Sequence, residues 1–544
     1  MFDYSINTIN KTLLDWVPAP LDIPNVVILA FFGISSVLFF SNLVHSIFWG
    51  IDAPVVGHRS ILEPAGLVRL RFALKGPSMI QAGRESDPAL KFKDSMFRVR
   101  RIGSDILIVS PKYVDEIRKL SKDNTRSIEP FIHDFAGEYT KGLVFLESDL
   151  QNRVIQQKLT PNLGSLTSVM KAELDIAFRK EIPDCQDEWI KVDINDILVR
   201  VIARISARIF LGPEEGRNEE WLTTTASYTK NLFITGFILR PFPRLLRPLV
   251  ALMLPTYHRL HADVASARRI VARVVSSRQA AEAQRSAEQE KSTDILQWLM
   301  DEATGDEKKV ENLSQRILIL SLASIHTTAL TMTQALYDLC ASPEYLEPLR
   351  DELNDVLIKH GGWQKTTLNY LLKLDSTLKE SQRLHPVFLL TFNRIFHQPM
   401  TLSNGTHLPA GTRVAAPSHS MLQDPANVPG LTEPSKFDPF RYSRIREDAA
   451  HPENAQRFLF AMTDPRNMAF GYGKYACPGR FYASNEMKLV LAHLLLRYDI
   501  KLPDGSTRPK NFTFDSDMFP DPRGRLLIKR RDISDPTISD LVGL

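Results

Sequence analysis

Apolar and polar positions divide the chain into an N-terminal run, a helical middle and a broken C-terminal third. Between Ile23 and Val44 no side chain is charged, and the stretch VVILAFFGISSVLFF is almost wholly apolar. Roughly 20 such residues suffice to cross a bilayer as a helix. A cleaved secretory leader is one alternative, but 22 residues precede the run and no small-x-small cleavage pattern follows it. A buried core helix is another, and it would keep some polar face, which this run lacks. Lysine and arginine excess marks the cytoplasmic flank of a span. The N-terminal side carries Lys11 against Asp3, Asp15 and Asp22, whereas the C-terminal side carries Arg59, Arg69, Arg71 and Lys75. The pattern therefore predicts a short lumenal stretch over 1–22, a transmembrane anchor over 23–48, a hinge over 49–57 (WGIDAPVVG) and a cytosolic body over 58–544.

Within the body, alternation through Phe97, Val99 and Arg101, a Gly-Ser-Asp turn, then Ile106 and Ile108 predict a strand hairpin. Ser110 and Pro111 read as the N-cap and first residue of a helix. The chain is then mainly helical to about Pro386. Several prolines forbid one long helix over 236–255, so short helices are expected there, suited either to a bilayer surface or to an internal apolar loop. The polar stretch QAAEAQRSAEQEKS reads as a solvated helix end or linker. A long helix, apolar on several faces, is expected from about Leu313 to Ala341, where Ser342-Pro343 stops it. After Pro386 come short β-like pieces and turns, then a helix from about Pro478 to Tyr498. The fold class is mainly α with small β-sheets.

Composition narrows the class. Hydrophobic residues form 44% and charged residues 24% of 544, ordinary for a globular protein with a large core. A net charge of +4 without a basic arm argues against nucleic acid. The three cysteines, Cys185, Cys340 and Cys477, form no CxxC pair, which disfavours a disulfide scaffold or a four-cysteine zinc site and fits a reducing compartment. Cys340 sits in an apolar helical pattern and reads as packing, and Cys185 receives no role.

Cys477 is different because of its surroundings, F-G-Y-G-K-Y-A-C-P-G-R over 470–480. Gly471 and Gly473 precede it, Gly479 follows, and a helix with Met487, Val490, Leu491 and Leu494 on its apolar side begins directly after. Free backbone N–H groups and the helix dipole favour a thiolate there. Such a sulfur ligates iron and donates electron density to it. A lone cysteine in a turn would read as packing; the constellation reverses that preference.

Phe470, Gly473, Cys477 and Gly479 match the FxxGxxxCxG haem loop, and the chain resembles the cytochrome P450 superfamily over essentially its whole body. The resemblance implies haem b with Cys477 as axial ligand. It pairs Glu380 and Arg383 of E-S-Q-R in a buried cluster with Arg441 of F-D-P-F-R, where an isolated ExxR would otherwise read as a surface ion pair. It places A-S-I-H-T-T, 323–328, on the oxygen-activating stretch of the long helix, with Thr327 assisting proton delivery. Two positions depart from the family's usual form: Ser324 replaces a glycine and His326 replaces an acid, which leaves the proton path open, although some fungal members share His-Thr-Thr. Without the resemblance, Thr327 reads as bonding the carbonyl one turn back, and His326 equally as a core residue or a proton relay. For the haem propionates the chain lacks the family's Trp-x-x-x-Arg near LTPNLG, offering Arg153 and Lys158, and Tyr475 stands where His or Arg is usual. Arg394 in FNRIF matches a propionate-binding arginine.

The implied activity is insertion of one O₂-derived oxygen into a lipophilic small molecule, at the endoplasmic reticulum membrane, with electrons from NADPH–cytochrome P450 reductase. Lys474, Arg480 and Lys488 are candidates for its docking patch. A peroxide isomerase or dehydratase is the alternative within the class, disfavoured by the presence of Thr327; a non-enzymatic haem- or lipid-binding membrane protein is the alternative outside it. The details GKYACPGRFYASNEMKL, LTPNLG and SIHTT resemble fungal members that oxidise terpenoids and other secondary metabolites. Substrate contacts are expected from the loop before Leu159, from Val387–Thr391 and from around Met518–Phe519.

Overall fold

A computed structural model describes residues 51–532 apart from 52, 61–62, 86–95, 285–290 and 365. The predicted anchor over 23–48 lies outside the described residues, as does part of the polar stretch before Lys291. Helices used below are α1 (Ala65–Glu85), α2 (Pro111–Arg118), α3 (Thr160–Glu181), α4 (Ile194–Leu211), α5 (Glu219–Leu239), α6 (Arg247–Met253), α7 (Pro255–Ala283), α8 (Val310–Ala341), α9 (Leu372–Leu384), α10 (Arg441–Arg446) and α11 (Arg480–Arg497). The strands are β1 (Phe97–Arg101), β2 (Ser104–Ile108), β3 (Thr125–Arg126), β4 (Ile190–Val192), β5 (Thr391–Phe396), β6 (Arg413–Ala416), β7 (Tyr498–Lys501), β8 (Phe512–Phe514), β9 (Asp517–Phe519) and β10 (Leu526–Arg530).

The hairpin expected near residue 100 forms, with Phe97 opposite Ile108 and its tight turn at Gly103, whose φ of 87° suits a residue without Cβ. The larger sheet runs β1-β2-β6-β5-β3, and β4-β10-β7 and β8-β9 form smaller ones. Ser110 caps α2 with its side chain, and Pro111 opens the helix. The proline-rich stretch resolves into the end of α5 at Leu239, the short α6, and α7 beginning on Pro255. One helix escapes sequence reading: α1 continues through Pro77 by kinking at Lys75. There a Cβ on Gly76 would lie 2.2 Å from the Asp515 carbonyl oxygen, so glycine is required for α1 to meet the chain before β9.

The segment expected as a hinge is partly docked. Ile51 and Ala53 are buried, Arg98 N–H donates to the Pro54 carbonyl at 2.7 Å, and Val56 N–H donates to Arg98 at 2.9 Å. Residues 53–56 thus ride along the edge of β1.

α8 crosses the centre and packs on α4, α7, α9 and α11. It is the one described helix long and apolar enough to span a membrane, but most of it is buried in the protein core. Cys340 lies in that core, where burial pushes its thiol up to about 12, and Cys185 is buried as well. A buried ionic cluster joins the end of α5 to the sheet: Arg240 and Arg101 both donate to Asp515 at 2.6 Å, and Arg413 donates twice to Asp134 at 2.7 Å. Buried charges are tolerated only when matched in this way.

Candidate active site

α8 is solid core with one interruption. Between Arg316 and Cys340 every residue is buried except Ala323, Ser324, His326, Thr327 and Leu330. Their spacing places them on one helical face, so a cleft reaches the middle of the helix at that point. Thr327 Oγ1 donates to the Ala323 carbonyl at 2.7 Å, the back-bond expected of a mid-helix threonine. His326 has no partner for Nε2, and burial pushes its imidazole down to about 4, so it is neutral at physiological pH.

Cys477 sits in a loop closed by backbone bonds. Its N–H donates to the Phe470 carbonyl at 2.8 Å, Gly471 N–H to Met468 at 2.8 Å, and Ala476 N–H to Gly473 at 3.0 Å. Gly471 and Gly473 both have φ of 74°, a left-handed backbone that favours glycine. Phe470 packs against the core, its ring edge-on to Phe460 at 5.2 Å. Gly479 stands at the N-cap of α11. Cys477 lies deep in the molecule, yet its side chain is open. Burial pushes its thiol up, against the N–H groups of Gly479 and Arg480 and the Arg480 charge, which pull it down. The helix terminus expected to favour a thiolate is present, but desolvation outweighs it; a cation bound at the sulfur would favour the thiolate.

Beside the loop, β5 bulges between Thr391 and Arg394, with Phe392 at a φ of 54°. Arg394 is 2% exposed. Its guanidinium lies 4.2 Å from the Phe392 ring centre and 4.9 Å from that of Tyr475. One nitrogen donates to the Asn393 carbonyl at 2.7 Å; Nε and Nη2 have no partner. The Tyr475 hydroxyl is likewise buried without a partner. A buried guanidinium left so incompletely bonded is costly, and burial pulls it down to about 10.

The predicted Glu380–Arg383–Arg441 cluster is present and complete. Arg383 donates to both oxygens of Glu380 at 2.9 Å, and Arg441 to both at 3.3 Å. Carbonyls of Pro434, Lys436 and Gly430 take the remaining guanidinium hydrogens. All three side chains are buried.

Several expected residues lie elsewhere. Lys158 falls on a π-turn, Ile155–Leu159, and its amine pairs with Glu302 at 3.0 Å near the surface, while Arg153 pairs with Asp149 and Glu307. The loop expected before Leu159 is itself helical, Leu150–Val154 running into that turn. Lys488 is no docking residue: it is 3% exposed, donates to the Leu368 carbonyl and pairs with Asp375. Asp375 also holds Arg446 at 3.0 Å and the Phe460 N–H at 2.8 Å, so it braces the ring against which Phe470 packs. Arg480 turns back onto the Cys477 carbonyl at 2.9 Å, leaving Lys474 exposed. The two expected substrate segments do come together, with Met518 N–H donating to Val387 at 2.9 Å and Leu389 N–H to Ser516 at 2.8 Å.

Donors buried without anions, on and beside the loop that carries an open cysteine, fit a flat cofactor bearing carboxylates and a metal that takes sulfur; the class is that of haem-thiolate proteins. Residues 89–528 match the family model described as Cytochrome P450, and the chain belongs to that family. It is 61% identical to an ent-kaurene oxidase of Gibberella fujikuroi over 89% of this chain and 94% of that protein. It is 46% identical to a cytochrome P450 monooxygenase of Emericella nidulans over 93% of each. The fold is that of retinoic acid-bound cyanobacterial CYP120A1, with a TM-score of 0.62 at 19% identity over 85% of this chain and 96% of that one. The cofactor is therefore haem b with an axial cysteine thiolate, and the enzyme is a monooxygenase.

Proposed function

We propose that the chain oxidises a polycyclic terpenoid hydrocarbon, with an ent-kaurene-type diterpene as the first candidate. The observation that carries this reading is its high identity to ent-kaurene oxidases through nearly the whole body. The side-chain chemistry agrees: Phe135 packs on Phe233 at 4.9 Å, and Phe237 meets Phe514 edge-on at 5.7 Å, giving α5 and β8 an aromatic surface that rewards apolar area over hydrogen bonding. Bound haem supplies the oxygen-activating chemistry, with Cys477 as its sulfur ligand. Arg394 and Tyr475 donate to the propionates, and Thr327 holds a hydroxyl at the open face of α8. Lys474 and Arg118, which lies over the Tyr472 ring, form the basic edge offered to NADPH–cytochrome P450 reductase. The anchor over 23–48 and exposed leucines on α1 (Leu67, Leu70, Leu74) and α6 (Leu249, Leu252) hold the body to the endoplasmic reticulum membrane.

The substrate is tested by incubating the full-length protein with reductase, NADPH and ent-kaurene. An oxidised diterpene whose formation requires NADPH is the expected product. Turnover of other terpenoids but not of ent-kaurene overturns the choice of skeleton.

Arg394→Ala is expected to weaken haem retention by roughly ten- to hundredfold, the worth of about 1.5–3 kcal/mol for hydrogen bonds to a charged group. The rate of haem transfer to an acceptor protein measures it. An unchanged rate removes Arg394 from the haem site.

A further inference from the structure

Apart from the cleft, a cavity of about 130 Å³ is bounded by α9, α10, the chain over 427–429 and the turn over 464–467. Lys379, one position before Glu380, lines it from α9. The residue is 4% exposed and forms no salt bridge among the described residues. Its Nζ donates to the Leu459 carbonyl at 3.0 Å and, at the limit of a bond, to Met462 at 3.5 Å. Burial pulls the amine down to about 8, so at neutral pH it still carries its proton. A buried ammonium without an anionic partner is costly, and backbone carbonyls alone are a thin answer to that cost.

The two acids that face this amine are engaged elsewhere. Asp375, one turn back on α9, holds Lys488 and Arg446. Asp464 accepts from the N–H groups of Arg466 at 2.7 Å and Asn467 at 2.9 Å, and lies 3.6 Å from Arg457. Arg457 and Arg466 add charge at the exposed side of the cavity, and Arg466 has no ion-pair partner among the described residues. Three cations against the one carboxylate of Asp464 leave the lining two positive charges in excess. Tyr442, 3% exposed, lines the same space, and its hydroxyl takes part in no hydrogen bond among the described residues. Cations and a free hydroxyl converging from separate elements suit an anion with several acceptor oxygens better than a halide.

We propose that this cavity is a binding site for inorganic phosphate, with Lys379 as the buried counter-charge, Tyr442 as a neutral donor and Arg457 and Arg466 at the mouth. A phosphate ester would bring one charged oxygen fewer and a tail into a small space, so the free ion is the ligand. The site stands outside the oxygen chemistry and is independent of which terpenoid the enzyme takes.

The test titrates full-length, haem-loaded protein calorimetrically with inorganic phosphate at constant ionic strength, without substrate or reductase. Saturable binding is expected, with a rise in thermal midpoint that chloride at equal ionic strength does not give. Lys379→Met keeps the length of the side chain without its charge and should weaken binding roughly ten- to hundredfold. Arg466→Gln, at an exposed position, should weaken it about two- to fivefold. Carbon monoxide spectra matching the parent show that the haem loop is intact in each variant; where Lys379→Met fails to take up haem, Arg466→Gln decides. Glycerol 3-phosphate should bind more weakly than phosphate, and tighter binding of the ester overturns the free ion as ligand. No saturable binding to the parent, or binding as strong in the variants as in the parent, overturns the site.

Discussion

Cys477→Ala is expected to abolish the red-shifted Soret band of the carbon monoxide complex and to take turnover below detection. The sulfur is the one thiol among the described residues that stands open in the interior; Cys185 and Cys340 are packed away. The loop around it is held independently of the sulfur by the Cys477 N–H to Phe470 bond and the two left-handed glycines. Loss of the side chain should therefore leave the fold and the Arg394–Tyr475 donors in place, and the variant should still take up haem. That separates ligation from folding. Carbon monoxide difference spectra of the parent, Cys477→Ala, Cys185→Ala and Cys340→Ala decide the matter. A thiolate-type band in all but Cys477→Ala is the expected result, and its survival in Cys477→Ala would sink the assignment.

Glu380→Ala should be the most damaging change for stability. The carboxylate lies fully buried between two guanidiniums, each bidentate, and its removal strands both. Breaking one partner of a buried pair costs about 3–5 kcal/mol because the remaining charge keeps its desolvation penalty. Here two charges are stranded, which places the effect at the upper end. Against a typical total stability of about 5–15 kcal/mol, most of the protein should fail to fold or to keep haem. Denaturant midpoints and haem content of purified protein measure it. Glu380→Asp keeps the charge on a shorter arm and should fall between parent and alanine variant. Equal stability of the alanine variant and the parent would mean the cluster contributes nothing.

These two centres were legible in the sequence for different reasons. The Cys477 loop is local, and its glycines are demanded by backbone angles that the sequence pattern carries directly. Arg441 was found by family pattern, since nothing nearby announces that it meets Glu380, 61 positions away. Arg394 is legible from its sequence pattern, whereas Tyr475 departs from the usual residue, and only its buried hydroxyl and its ring beside Arg394 give it a place at the site. Lys488 is not legible as buried because its partner Asp375 lies on another helix, far away in the sequence. The α1 helix was missed because Gly76-Pro77 reads as a breaker, and only the approach of the Asp515 backbone explains the glycine. Contacts between distant helices are written in no local pattern.

The docking of residues 53–56 along β1 bears on how the enzyme sits in its surroundings. With the anchor predicted to end at residue 48 and Ile51 already buried in the body, the leash between bilayer and catalytic unit is only a few residues long. If the run over 23–48 spans a bilayer as proposed, a tether that short would not let the body tumble. It would fix which side of the protein meets the lipid, so that a hydrocarbon dissolved in the membrane would meet a doorway held at constant depth.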